Sequence, residues 1–303
     1  MKPKLNVEIG RLKLKNPVMV ASGTFGYGLE FENVAGIGAL GAVVTKTITL
    51  HRRVGNKPPR IAETPSGMLN SIGLENPGVD IFVNEKLKDL SKFKVPIVVS
   101  IAGDTVEEYG QLAGALEGIN SIDALEINIS CPNLHSGLLF AQEAGTTARV
   151  VEAVRSNTKK TVITKLSPNV TDITPIARAA EEAGSDAISL INTLMAMTVD
   201  IKEKVSTLGS VTGGLSGPAI MPIALYMIWR TARTVKIPII GMGGIMGWED
   251  AVAFMMCGAS AVSIGTANFV NPSTAEEVIE GMAAYLRRHG IKDINALVGT
   301  LRT

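Results

Sequence analysis

The run most able to do chemistry is Asn128-Ile-Ser-Cys-Pro-Asn133, which sets the thiol of Cys131 between Ser130 and Pro132. A thiol can be a nucleophile, a metal ligand or a general base. The chain has two cysteines, Cys131 and Cys257, and no Cys-x-x-Cys pattern. They cannot supply a four-thiolate metal site, so no metal is expected. Of the three histidines, His51, His135 and His289, only His135 lies near the motif. Proton abstraction is therefore the favoured reading of Cys131, provided a nearby positive charge favours the thiolate. Cys257 falls in an amphipathic stretch and reads as packing.

Lys46 and Lys165 each close an apolar run. A lysine donates only, which suits a carboxylate, a phosphate or the electron-rich edge of a reduced flavin. A Schiff-base role is also open. Asn70, Asn128, Asn133 and Asn192 present both donors and acceptors, the complement of a pyrimidine-dione edge, although single asparagines commonly serve turns and caps. Gly241-Met-Gly-Gly244 and Gly265-Thr266 are glycine-rich turns whose backbone N–H groups can approach a phosphate. The plainer reading of these turns is tight strand-to-helix connection.

These groups need a scaffold that brings them to one rim. Short apolar runs, bounded as Pro17–Ser22, Gly41–Lys46, Val95–Ile101, Ala124–Ile129, Val162–Leu166, Ala187–Ile191, Ile237–Gly241 and Ala261–Gly265, predict strands. Amphipathic stretches between them, including Thr105–Glu117, Thr146–Asn157, Val170–Ala183, Pro218–Thr234 and Trp248–Cys257, predict helices. Gly118, Gly184 and Gly258 fit helix C-caps. Strand–helix alternation implies parallel pairing, and eight units imply a closed (β/α)8, or TIM, barrel. A doubly wound sheet would want Gly-x-Gly-x-x-Gly after its first strand, and Ala21-Ser-Gly-Thr-Phe-Gly26 lacks that spacing. Leu5–Leu14 alternates around Gly10 and predicts a hairpin plugging the N-terminal end of the barrel. The long connections from Thr47 to about Lys94 and from Asn192 to about Gly217 predict loops at the C-terminal rim, where barrels keep their active sites.

With 303 residues, 46% of them hydrophobic and 19% charged, the chain can bury a large core. A net charge of +1 and the lack of a basic stripe argue against a nucleic-acid partner. Neither a signal-length apolar run at the N-terminus nor a membrane-length span is visible. Residues 1–303 therefore read as one domain of a cytoplasmic protein with reduced thiols and no membrane association.

Taken jointly, Ala21–Gly26, Ser66–Gly78, Asn128–Asn133, Lys165–Asn169, Ile191–Thr193, Gly213–Pro218 and Gly241–Gly244 resemble dihydroorotate dehydrogenase over nearly the whole chain. The resemblance implies oxidation of dihydroorotate to orotate, in pyrimidine biosynthesis, with FMN as cofactor. Cys131 would take the C5 proton while hydride passes from C6 to flavin N5. Lys46, Asn70, Ser71, Ile72, Gly73, Leu74, Asn128, Asn133, Asn192 and Thr193 would hold the substrate. Ser22, Lys46, Thr47, Ser100, Asn128, Lys165 and Ile191 would line the flavin, with Lys165 at its N1/O2 edge. Gly217, Gly243, Gly244, Gly265 and Thr266 would cradle its phosphate.

Within the family, the Asn70–Gly78 stretch looks most like the NAD-linked branch. That implies a homodimer docked to an electron-transfer subunit carrying FAD and a 2Fe-2S cluster, a heterotetramer overall. The chain departs from the family pattern after Cys131, where paired glycines and Phe-Gly are replaced by Asn133-Leu-His-Ser-Gly-Leu-Leu-Phe-Ala141. It departs again at Ser100, where many members have Asn, and at Lys204-Val-Ser206 and Ser210. The alternatives are a related FMN barrel acting on another dihydropyrimidine, a fumarate-linked dihydroorotate dehydrogenase and, from a different class, a Schiff-base aldolase.

Overall fold

Eight short strands whose residues are all buried form the centre of the molecule. They are Val18–Val20 (β1), Ala42–Val44 (β2), Ile97–Ile101 (β3), Ala124–Asn128 (β4), Thr161–Lys165 (β5), Ala187–Leu190 (β6), Ile239–Met242 (β7) and Ala261–Ile264 (β8). Burial on both faces requires cover on both sides, and parallel strands joined by helices provide it. The strands close into a parallel barrel in chain order, with β8 pairing β1. This is the (β/α)8 architecture expected from the alternation. The fold comes from a computed structural model that describes residues 3–129 and 140–302.

The N-terminal hairpin pairs Val7–Ile9 with Leu12–Leu14 and turns at Gly10, whose φ is +59°. Val7, Ile9, Leu12 and Leu14 are buried, and each apolar side chain so removed from water contributes about 1.5–3 kcal/mol. Arg11 N donates to Thr161 Oγ1 at 3.2 Å, which sets the hairpin on the starting end of β5. The barrel's opposite end therefore stays open for a site.

Helices begin and end where local chemistry allows. Thr105 caps Val106–Glu117 by accepting from Glu108 N at 3.2 Å. The helix expected from Val170 starts at Thr174, because Asp172 Oδ1 takes the Thr174 N–H at 3.0 Å and Pro175 occupies the first turn. Gly184 and Gly258 adopt positive φ just past their helices, as a left-handed stop requires. Gly118 also ends its helix, but at φ −73°, a conformation that does not need glycine.

The two long connections differ from the expected loops. Ile61–Thr64, Gly67–Asn70, Gly213–Ser216 and Leu194–Ala196 form one antiparallel sheet, with Leu69 opposite Leu215 and Leu215 opposite Leu194. A smaller ribbon pairs Val199–Asp200 with Val205–Ser206. The sheet joins the segments after β2 and β6 across the C-terminal rim. Its strands are four residues or fewer and two of them begin with glycine, so alternation within any one of them is faint. Among the described residues, no helix is long and apolar enough to cross a membrane.

Candidate active site

Side chains alternate across a strand, so Glu126 and Asn128 share one face of β4, as Ile163 and Lys165 do on β5. The register sets Asn128 beside Lys165, and Lys165 beside Ser189 of β6. Adjacent strand ends thus deliver an amide, an ammonium and a hydroxyl to neighbouring positions.

A hydrogen-bonded chain crosses this rim. Ser100 Oγ and Thr47 Oγ1 lie 2.9 Å apart, Asn128 Nδ2 donates to Thr47 Oγ1 at 3.2 Å, and Asn192 Nδ2 donates to Asn128 Oδ1 at 3.4 Å. Asn192 Oδ1 in turn accepts from Thr193 N at 2.8 Å. Thr47, Ser100 and Asn128 are buried, where an unmet polar group costs about 1–3 kcal/mol. The chain therefore fixes which way each amide faces. Tyr109 Oη donates to Asn128 O at 2.8 Å and ties the helix Val106–Glu117 to the end of β4.

Beside the chain lies a cavity. Ser22, Lys165, Ile191, Asn192 and Thr193 line one part of it. Gly217, Gly243, Gly244, Gly265 and Thr266 line another. Lys165 is buried, donates to Ser22 Oγ at 3.3 Å and sits 3.9 Å from Glu126 Oε1. Gly244 has φ +81°, and a Cβ there would lie 2.7 Å from Met221 Cβ and 2.9 Å from Gly217 O. Only a glycine leaves this turn its shape, with backbone amides free to face the cavity. A Cβ at Gly265 would meet only Ala21 and Thr24, at 3.8 and 3.9 Å, and both of those residues line the cavity. Its lining includes a buried hydroxyl, Ser263 Oγ, that has no hydrogen-bond partner among the described residues. A cavity with one ammonium, one amide chain and two glycine turns suits an anion attached to a flat, hydrogen-bonding ring.

Other candidates lie apart from this cavity. Asn70 Nδ2 donates to Gly214 O at 3.3 Å, within the rim sheet. Ser71 Oγ accepts from Asn56 Nδ2 at 2.8 Å and also meets Ser210 Oγ. Gly73 lines a neighbouring hollow with Arg52, Arg53 and Asp104, and Ile72 and Leu74 flank it in the chain. Lys46 is half-buried and its N–H donates to Gly26 O at 2.7 Å. Cys131, Asn133 and His135 lie outside the described residues.

Three participants were missed by sequence reasoning. Ser216 accepts from Thr266 Oγ1 at 2.8 Å, Ser263 lines the cavity, and Glu126 pairs with Lys165. Glu126 alone carried a signal, as the one charge inside the apolar run Ala124–Ile129.

The family model described as Dihydroorotate dehydrogenase matches residues 4–286. The chain is 53% identical to a protein of Trichlorobacter lovleyi over 302 residues, 99% of each chain. It is 54% identical to one of Desulforudis audaxviator over 300 residues, covering 99% of this chain and 98% of that one. Against a protein of Bacteroides thetaiotaomicron the identity is 51% over 298 residues, 98% of each. All three are named dihydroorotate dehydrogenase B (NAD(+)), catalytic subunit. With a match that runs nearly end to end and a barrel whose polar rim is built from the expected strand ends, the chain belongs to the dihydroorotate dehydrogenase family.

Proposed function

We propose that this chain is the FMN-binding catalytic subunit of an NAD-linked dihydroorotate dehydrogenase, a single cytoplasmic barrel domain spanning residues 1–303. The observation that carries the reading is the cavity in which Lys165, the Asn128–Asn192 amide chain and the turns at Gly243–Gly244 and Gly265–Thr266 converge. The residues present fit FMN: a turn that tolerates no Cβ at Gly244, a Ser263 hydroxyl with no partner among the described residues and a buried ammonium supply amides, a polar contact and a positive charge. Bound there, FMN supplies a two-electron acceptor for hydride.

The protein's own work is binding, orientation and proton transfer. Gly217, Gly243, Gly244, Gly265 and Thr266 would hold the phosphate through backbone N–H groups, with Ser22 lining the same cavity. Lys165 would favour negative charge on the flavin edge. Ile191 would complete that pocket with Thr47 and Ser100, which act through their hydrogen bonds to the amide chain, and Asn128, Asn192 and Thr193 would orient the substrate together with Lys46, Asn133 and the Asn70–Leu74 stretch. Dihydroorotate loses hydride from C6 and a proton from C5 as the C5–C6 double bond forms; Cys131 takes the proton.

Two electrons must then leave the barrel. The chain's two cysteines are too few for an iron–sulfur cluster, which takes about four thiolates. The named relatives are catalytic subunits, which supports a partner electron-transfer subunit. The reading assigns FAD and the 2Fe-2S cluster to that partner and arranges the barrel as a homodimer within a heterotetramer. Purified alone, the chain should release one FMN per barrel and bleach on adding dihydroorotate, without reducing NAD. Absence of flavin would reject the cofactor. Steady NAD reduction by the chain alone would reject the partner, and rapid turnover with fumarate would move the protein to the fumarate-linked branch.

A further inference from the structure

Glu126 is 2% exposed at the centre of β4, in register with Ser100 of β3 and Ile163 of β5. Its Oε2 accepts from Ser189 Oγ at 3.1 Å. Its Oε1 has no hydrogen-bond partner among the described residues and lies 3.9 Å from Lys165 Nζ. Lys165 is 4% exposed, lines the cavity and donates to Ser22 Oγ. A buried ion pair is not by itself a device for stability, because desolvating both charges offsets their attraction. Replacing both by apolar groups would serve the fold as well. The carboxylate is therefore explained by what the ammonium does on its other side.

We infer that Glu126 is the counter-charge of Lys165 and a positioning residue for the flavin, setting how strongly the pocket favours the reduced, anionic cofactor. This rests on the FMN reading above. The carboxylate holds the ammonium at the inner end of the cavity and cancels part of its field. Lys165 alone would over-stabilise the extra negative charge that arrives with hydride and slow its onward passage. The pair lowers the positive field that the cofactor meets before reduction while leaving the ammonium in place after it. The effect runs through a charge one layer below the cofactor, where little water screens it.

The test is the midpoint potential of the FMN-loaded protein, by spectroelectrochemistry slightly below neutral pH, in wild type, E126Q and K165M. E126Q should retain one FMN and shift the reduction equilibrium at least tenfold toward the reduced form, read as a rise of about 30 mV for a two-electron couple. K165M should shift it the opposite way. A merely structural role for Glu126 would lower thermal stability and leave the potential in place. E126Q that holds FMN at or below the wild-type potential overturns the inference while leaving the FMN assignment standing. Wild-type protein without FMN removes the functional reading and this inference with it. Should E126Q fail to fold, the double variant E126Q/K165M, which removes both charges of the pair together, should fold. A double variant that also fails to fold overturns the pairing.

Discussion

Two glycine substitutions separate the fold's needs from the ligand's. At Gly244 the φ of +81° alone costs an alanine about 1–2 kcal/mol. The new Cβ would also stand 2.7 Å from Met221 Cβ, 2.9 Å from Gly217 O and 3.0 Å from Met221 N. Two of those atoms are backbone and cannot swing aside, so overpacking adds about 1–3 kcal/mol. Gly244→Ala should therefore lose about 3 kcal/mol. For 303 residues the unfolding entropy is about 0.64 kcal/mol/K, which makes that a fall of about 5 °C in Tm. Gly265→Ala is the contrast. Its φ is not left-handed and its Cβ meets atoms only at 3.8 and 3.9 Å, in ordinary contact. Its stability should be unchanged or higher by about 0.4–1 kcal/mol, through the stiffer unfolded chain. Both variants should bind FMN at least tenfold more weakly, one because its turn is displaced, the other because the methyl stands in the cavity. Calorimetry of the flavin-stripped proteins gives Tm, and quenching of FMN fluorescence gives Kd. Wild-type FMN affinity in Gly265→Ala would refute the placement of the phosphate at these turns. An unchanged Tm in Gly244→Ala would refute the steric argument.

Cys131→Ser should keep FMN yet slow its reduction by dihydroorotate by two or more powers of ten, about the scale of lost general-base catalysis, and stopped-flow bleaching as fast as wild type would clear Cys131 of that role. The Thr158 hydroxyl, the chief cause, and the Lys159 amide hold the Glu117 carboxyl below its usual range. A depressed carboxylate adds stability that is present above the ordinary glutamate pKa of about 4.3 and lost as pH falls through the lower folded value. Urea melts of Glu117→Gln should thus show a deficit near neutral pH that closes in acid, and a gap of constant size would contradict the assignment. Burial pushes the Cys257 thiol up, with Arg233 opposing it less. In Cys131→Ser, iodoacetamide should label Cys257 more slowly than glutathione at neutral pH and faster as pH rises; peptide mass spectrometry reporting free-thiol rates at neutral pH would count against this.

Much of this protein was legible from local pattern. Apolar runs such as Val162–Leu166, followed by helical stretches, specify parallel strands because only crossover helices can cover both faces. Strand ends follow from the same pattern, so Lys165, Asn128, Asn192 and the Gly243–Gly244 turn could be assigned to one rim before any contact was known. The rim sheet was hidden because its pairings join Gly67–Asn70 to Gly213–Ser216, more than 140 residues away, and each short strand is stable only when the other is present. The division of candidates was hidden as well. Ser71 and Gly73 share a motif with Asn70, yet the side chain of Ser71 turns toward Asn56 and the backbone path sets Gly73 in a separate hollow. Glu126 shows the limit best. Its charge stands out in the sequence, but whether it faces helix or barrel depends on register, and register is decided by closure of the whole sheet, which carries it to Lys165 and Ser189.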